Sequence, residues 1–131
     1  MSQAEAIDRL EAHAREVINL LPSQARQVKP TGKASPDVDH TCAVGLEQKT
    51  TGQVRVGIEY EVSRLDARSY PEYVASFTRY AKTKGWSGPQ PSDSTVVRFR
   101  PDPALAIDVR TSDDRFFVTG HSECIWPDGH R

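Results

Sequence analysis

No segment of this 131-residue chain approaches the roughly 18 consecutive apolar residues that a membrane-spanning helix requires. The sequence also lacks a glycine-rich phosphate loop, a dinucleotide fingerprint and an HExxH motif, so these signatures of nucleotide and zinc enzymes are excluded and no cofactor is expected. Basic and acidic residues nearly balance, 17 against 18, which leaves no overall field to attract nucleic acid. We therefore expect neither a membrane span nor a nucleic-acid partner.

The first segment, residues 1–22, lacks the charged start, the apolar middle and the small-residue cleavage site of a signal peptide. An exported location therefore requires a leader before Met1, and a cytoplasmic location is the alternative. The length suits one domain with a single core. A hydrophobic content of 37% and a charged content of 27% are typical of a soluble domain.

Two segments have the three- and four-residue spacing of apolar residues that predicts an amphipathic helix. The first begins at a capping box, residues 2–5, and ends at Pro22. The second begins at a similar box, residues 69–72, and ends at Gly85, which suits a left-handed cap. The predicted apolar positions are Ile7, Leu10, Ala14, Val17, Ile18 and Leu21 in the first helix and Tyr73, Val74, Phe77, Tyr80 and Ala81 in the second.

Five stretches alternate apolar and polar residues with the period of two that predicts β-strands. They are residues 41–47, 53–63, 95–100, 105–109 and 116–122. Hairpin-connected strands with separate helices indicate the α+β class. We expect an antiparallel sheet of about five strands with two helices packed on one face, in the order α-β-β-α-β-β-β.

The whole chain, residues 1–131, is predicted to form a single α+β domain. The N-terminal helix occupies residues 1–22, and residues 40–129 form the core. Residues 23–39 have no period and are predicted to be a long loop. Residues 87–94 are rich in proline, glycine and serine and are also predicted to be a loop.

The sequence contains only two cysteines, so any intramolecular bridge joins Cys42 to Cys124. Their spacing fits one long-range disulfide in an oxidising compartment, or two unrelated buried thiols in a cytosolic protein. A third alternative adds His40 and His121, because zinc accepts two imidazoles and two thiolates tetrahedrally. All three alternatives are open from the spacing alone.

Two further sets of residues are candidate sites. The polar phase of the strands predicts an exposed sheet face that meets solvent or a partner, and cross-strand ion pairs are the usual meaning of such a pattern. This face carries Arg55, Glu59, Glu61, Arg98 and Arg100. A pocket between helices and sheet is the second candidate, lined by Tyr60, Tyr73, Phe77 and Trp86.

No catalytic residue is predicted. His121, Ser122 and Glu123 are neighbours in sequence, and in a strand their side chains fan to both faces. Catalytic groups must instead converge on one point. The sequence therefore favours a binding role over an enzymatic one.

The segment Ser122-Glu-Cys-Ile-Trp-Pro-Asp-Gly129 resembles the C-terminal end of small actinobacterial lipoproteins and secreted proteins, which finish with a Ser-x-Cys-x-Trp-like segment after a sheet strand. The resemblance covers residues 40–129 and includes an earlier cysteine, Cys42, and a helix ending in Gly85-Trp86. The chain lacks the lipobox cysteine of that group. The resemblance implies a disulfide between Cys42 and Cys124, a location outside the cytoplasmic membrane and no catalytic residue.

These observations predict a non-enzymatic binding or interaction protein, exported and held by a disulfide, that recognises a protein or a cell-envelope component. One alternative is a cytosolic inhibitor or immunity-type protein. Another is a small enzyme or ligand carrier that uses the pocket between helices and sheet. The sequence does not specify the ligand or the oligomeric state.

Overall fold

The computed structural model describes residues 1–23, 28–30, 36–44, 49–93 and 96–129. In these ranges, seven strands form one antiparallel sheet, two more form a small separate sheet, and two α-helices accompany them. The elements are α1 (Gln3–Ile18), β1 (Val28–Pro30), β2 (Asp37–Asp39), β3 (Ala43–Val44), β4 (Lys49–Thr50), β5 (Arg55–Val62), α2 (Tyr70–Lys84), β6 (Ser87–Asp93), β7 (Val96–Asp102), β8 (Leu105–Ser112) and β9 (Arg115–Ser122). The predicted α+β class is confirmed.

The sheet order is β1-β5-β9-β8-β7-β6, and β2 also pairs with β5. The last strand, β9, therefore lies inside the sheet between β5 and β8, with eight register pairs to β8 from Leu105↔Ser122 to Ser112↔Arg115. The short strands β1 and β2 pair with the two halves of β5, along the edge that does not pair with β9. This order brings the end of the chain to the centre of the sheet.

Helix α1 begins at the predicted capping box. Glu5 donates its backbone N–H to the Ser2 hydroxyl at 3.2 Å, and the Glu5 carboxylate accepts from the Ser2 backbone N–H at 3.4 Å. Leu10 is fully buried against the sheet. It reaches the sheet closely because Gly120 faces it, and a Cβ at that glycine would lie 3.1 Å from Leu10 Cδ2.

Helix α2 ends as predicted, at Gly85, which adopts a left-handed conformation with φ 77°. Its start differs from the prediction, because Ser69 makes no side-chain capping bond. A 3-10 turn, Ala67–Ser69, precedes the helix, and the Asp66 carboxylate caps this turn by accepting from the Arg68 backbone N–H. The second predicted capping box is therefore wrong, since the chain enters the helix through another turn.

Both helices pack on the same face of the sheet. Tyr70, Tyr73 and Phe77 of α2 all contact the ring of Phe116 in β9, at centroid distances of 5.2, 6.2 and 6.0 Å. The largest fully buried side chains are Phe77, Phe99, Phe116, Leu10, Leu21, Leu105, Ile107, Val17, Val54, Val56, Val109 and Val118. None of the helices in the described ranges is long and apolar enough to cross a membrane.

Three predicted boundaries are wrong. The predicted loop 23–39 contains β1 and β2, and the predicted loop 87–94 contains β6. These are edge strands, which form by backbone pairing and tolerate proline and polar residues without any apolar alternation. The predicted strand 41–47 contributes only β3, which pairs with β4 outside the main sheet, and residues 45–48 lie outside the described ranges.

Candidate functional site

A disulfide joins Cys42, just before β3, to Cys124, two residues after the end of β9. The Cα atoms are 6.1 Å apart, and the two positions are separated by 82 residues. Of the three alternatives for these cysteines, the disulfide is confirmed. Neither sulfur is present as the thiolate that the zinc alternative with His40 and His121 requires. Within the described ranges, no group of three or more His, Cys, Asp or Glu side chains could hold a metal ion.

The segment after Cys124 closes the end of the sheet. Ile125 and Val54 exchange two backbone hydrogen bonds, of 2.7 and 2.8 Å. The Pro127 carbonyl then accepts a hydrogen bond from the Gln3 backbone N–H at 3.0 Å. The disulfide and these backbone bonds fix the region in which β9 ends.

The sheet face opposite the helices, which we call the outer face, consists of alternate residues of four strands. They are Arg55, Gly57, Glu59 and Glu61 of β5; Arg115, Phe117, Thr119 and His121 of β9; Ala106, Asp108 and Arg110 of β8; and Val96, Arg98 and Arg100 of β7. The antiparallel register places residues of neighbouring strands side by side in rows. Charges at the two ends of this face are arranged differently.

One end, which we call the paired end, carries matched charges around Phe117. Arg115 donates hydrogen bonds of 2.8 and 3.0 Å to the Glu61 carboxylate, and Arg110 lies 3.8 Å from Glu59. The guanidinium groups of Arg115 and Arg110 lie 4.8 and 5.7 Å from the Phe117 ring centroid, and Phe117 is only 8% exposed. The hydrogen bond from Arg115 lowers the pKa of Glu61 below its ordinary value.

The other end, which we call the basic end, is a depression of about 320 Å³ around His121. Gly57 and Ala106 lie directly opposite His121 on the two neighbouring strands. Both register partners of His121 are therefore small residues, and Ala106 is fully buried. The depression itself is lined by Arg55, Arg98, Arg100, His121, Ser122 and Glu123.

Three arginines line the depression: Arg55, Arg98 and Arg100. Arg98 donates hydrogen bonds of 2.8 and 3.0 Å to the buried carboxylate of Asp108, and these bonds raise the pKa of Arg98. Arg55 and Arg100 form no ion pair with any described residue. Arg55 Nη2 instead lies 3.7 Å from Cys124 Sγ. Two of the three guanidinium groups at the basic end therefore have unused donors.

The imidazole of His121 lies among these charges. Burial lowers the pKa of His121 below its ordinary value of 6.5. The charge of Asp108 raises this pKa, whereas the charges of Arg98, Arg100 and Arg55 lower it. The imidazole is consequently neutral at pH 7, and it offers one N–H donor and one acceptor nitrogen.

A second depression, of about 450 Å³, adjoins the first. Arg100 and Glu123 line both depressions. The remaining wall of the second comes from Gly85, Ser87 and residues 101–103. The two depressions therefore adjoin at Arg100 and Glu123.

The residues of the predicted pocket between helices and sheet fall into separate groups of aromatic contacts in the described part of the chain. Phe77 is 2% exposed and, with Tyr73, contacts Phe116 in the core. Trp86 belongs to a different group and makes edge contacts with the rings of His13 and Tyr80. Tyr60 lies on β5, where burial raises the pKa of its hydroxyl. These aromatic side chains pack the core and the helix junction.

The three neighbours at the end of β9, His121, Ser122 and Glu123, all border the depression. Ser122 is nevertheless fully buried. The Ser122 hydroxyl accepts from the Val56 backbone N–H at 3.0 Å and donates to the Glu123 carbonyl at 2.8 Å. A hydroxyl engaged in this way is a structural group.

Of the five residues predicted on the exposed face, the structure places Arg55, Arg98 and Arg100 around one depression. It separates them from Glu59 and Glu61, which lie toward the paired end. The position of His121 in this depression, beside Gly57 and Ala106, is not evident from the sequence. Their alternation in the sequence shows that they face the same way, but only the strand register places them side by side.

No protein-family model, no curated protein and no solved structure matches this chain. The resemblance to actinobacterial secreted proteins stays a prediction.

Proposed function

We propose that this chain is a non-enzymatic binding protein that recognises an anionic protein or cell-envelope component through the basic end of its outer face. The observation that carries the proposal is the difference in charge pairing. Arg55 and Arg100 form no close ion pair among the described residues, whereas the arginines of the paired end contact Glu61 and Glu59. Two carboxylates lie near them: Asp39 is the register partner of Arg55, and Glu123 borders the depression. Three guanidinium groups around one depression still attract anions, even on a chain of net charge −1.

The arrangement of the remaining polar groups supports binding over catalysis. The hydroxyl of Ser122 is engaged by backbone groups, since it accepts from the Val56 N–H and donates to the Glu123 carbonyl. Glu61, which sequence spacing pairs with Glu59, is held by two hydrogen bonds from Arg115. A nucleophile, a base and an activating group do not converge at these positions.

The disulfide supports an extracytoplasmic location, because disulfides persist in oxidising compartments and are rare in the cytosol. The alternative is a cytosolic inhibitor or immunity-type protein that uses the same basic end against an acidic protein. Mass spectrometry of protein from its native host, alkylated with and without reductant, distinguishes them. We expect alkylation of Cys42 and Cys124 only after reduction, and alkylation without reductant would refute the extracytoplasmic location.

Cosedimentation with the cell-envelope fraction of the native host tests the binding role. The double variant Arg55→Gln/Arg100→Gln removes the two unpaired charges, and we expect it to bind about tenfold more weakly than wild type. The variant Arg110→Gln/Arg115→Gln is the matched control, because it removes two arginines from the same face and changes the net charge equally. An equal loss in both variants would refute recognition through the basic end.

A further inference from the structure

We infer that the depression at the basic end is a binding site for the phosphoryl group of a phosphate ester, with Arg55, Arg100 and His121 as its direct contacts. This inference deepens the proposed function and rests on it. It names the chemical group that the basic end takes, and it separates the direct contacts from Arg98, whose position is set by another residue.

The site is a depression of about 320 Å³ that His121 borders together with Arg55, Arg98 and Arg100. The register partners of His121 on the two neighbouring strands are the small residues Gly57 and Ala106. An anion that enters this space reaches the His121 ring and also meets Arg55 and Arg100 at the wall. The neutral imidazole can donate its N–H to an oxygen of that anion.

The three cationic side chains do not play equal parts. Arg98 donates two hydrogen bonds to Asp108, through Nε and Nη2. The carboxylate therefore largely balances its charge and uses the pair of donors that would otherwise bind a ligand. Arg55 donates through Nη2 to Cys124 Sγ at 3.7 Å, and neither Arg55 nor Arg100 forms a close ion pair within the described part of the chain. Asp108 therefore fixes the Arg98 guanidinium, while Arg55 and Arg100 retain N–H donors for a ligand.

A phosphoryl group fits this set of donors better than a carboxylate does. One arginine fork satisfies both oxygens of a carboxylate. A phosphate monoester presents three charged oxygens, which can accept from two separate guanidinium groups and from an imidazole at once. Arg55 and Arg100 lie on opposite sides of His121, so these three side chains can donate to the three oxygens.

The adjoining depression of about 450 Å³ receives the rest of the ester. It begins at Arg100 and Glu123, which both depressions share, and its wall offers the polar side chains of Ser87 and Asp102 beside two prolines. Hydroxyl groups of a small carrier can bond these polar side chains. We therefore expect an ester of a polyol to bind more tightly than inorganic phosphate.

The test titrates the wild-type protein with inorganic phosphate and with sn-glycerol 3-phosphate at constant ionic strength and follows backbone and imidazole resonances by NMR. We expect saturable shifts at His121, Gly57 and Ala106, and tighter binding of the glycerol ester. The Arg55→Gln/Arg100→Gln variant should lower affinity for both about tenfold. The Arg110→Gln/Arg115→Gln control should stay within about twofold of wild type, because its charges lie outside the depression.

Two results would overturn the inference. One is the absence of a saturable shift in the wild-type protein at phosphate concentrations up to about 10 mM, ten times a millimolar dissociation constant. The other is binding to phosphatidylglycerol vesicles that both double variants weaken equally, because it would indicate general surface charge. Selective loss of envelope binding by the basic-end variant, without phosphate binding, would refute the phosphoryl site and leave the proposed function standing.

Discussion

The two ends of the outer face contain the same kinds of residue, yet they differ in whether their arginines form ion pairs. At the paired end, Arg115 and Arg110 lie against Glu61 and Glu59 and shield the ring of Phe117. At the basic end, His121 has small register partners in place of the large one, and two arginines form no close ion pair among the described residues. At the paired end, the charges are balanced by one another. The basic end has space and N–H donors for a ligand.

The difference follows from the residue at the centre of each row. Phe117 fills its row, so the arginines beside it stack on the ring and meet the neighbouring carboxylates. His121 has Gly57 and Ala106 as its register partners, so the side chains beside it in the row are small. On a sheet surface, the size of the cross-strand neighbours decides whether charged side chains pair with each other or surround a depression.

The largest expected effect follows removal of the disulfide, which acts on the basic end. The Cys42→Ala/Cys124→Ala variant should lose about 4.5 kcal/mol of unfolding free energy in urea, because the 82-residue separation closes a long loop in the unfolded chain. Hydrogen exchange should rise most at Ile125, next to the basic end, and least at Glu61. An equal rise of exchange at Ile125 and Glu61 would contradict this assignment of the disulfide to one end.

The second effect concerns the paired end alone. Phe117→Ala should cost about 3 kcal/mol of unfolding free energy, because the ring is almost completely shielded by Arg110 and Arg115. The same variant should leave phosphate affinity unchanged, and both quantities are measured by urea unfolding and NMR titration. A loss of phosphate binding in the folded variant would show that the two ends are not independent.

The third effect is a change in both the unfolding free energy and the phosphate affinity of the basic end. Asp108→Asn removes the charge that holds Arg98, whose side chain is 27% exposed, and should cost about 2 kcal/mol, less than a fully buried pair. Phosphate affinity should rise roughly threefold, because a nearby negative charge is lost. Reduced affinity in this variant would instead place Asp108 among the groups that arrange the ligand contacts.

The fourth effect is the pH dependence of the basic end. His121 faces Arg55 of β5, Asp108 of β8, and Arg98 and Arg100 of β7, and burial lowers its pKa below 6.5. The unfolded chain therefore binds this proton more readily, and stability should fall as the pH drops below about 6.5 toward the pKa of the folded state.

An anion in the depression favours the protonated imidazole, so sulfate affinity should rise roughly threefold over the same pH interval. Sulfate is the suitable probe because its own charge does not change there. His121→Gln should remove both dependences in paired titrations of the two proteins. A pH dependence that persists in the variant would assign it to another of the four histidines.

The smallest effect is at the surface of the paired end. Arg115→Gln removes the hydrogen bonds that lower the pKa of Glu61, so this pKa should return toward its ordinary value of 4.5 in an NMR titration. Glu61 contributes stability above that value, which is lost as the pH falls through its lowered pKa, and the variant should lose this contribution. Exposed ion pairs contribute little, so the urea midpoint should scarcely change.

A sequence pattern predicts an element when the residues that start or end that element lie next to one another in the chain. The capping box at Ser2 and Glu5 and the left-handed Gly85 depend on neighbouring residues, and both are confirmed. The strands β1, β2 and β6 were missed because their pairing uses backbone groups and gains little from side-chain burial. Of the candidate site, the arginines were predicted as an exposed group, and their meeting around His121 was not.

The order of the amino acids alone determined the fold class, the apolar faces of the helices and the inward phase of the central strands, because these depend on periodicity along the chain. Tertiary structure decided which of the three cysteine alternatives holds and which side chains meet on the outer face. The pairing of β9 with both β5 and β8 sets His121 beside Gly57 and Ala106. Strand register is a relation between distant segments, so the basic end exists only in the folded sheet.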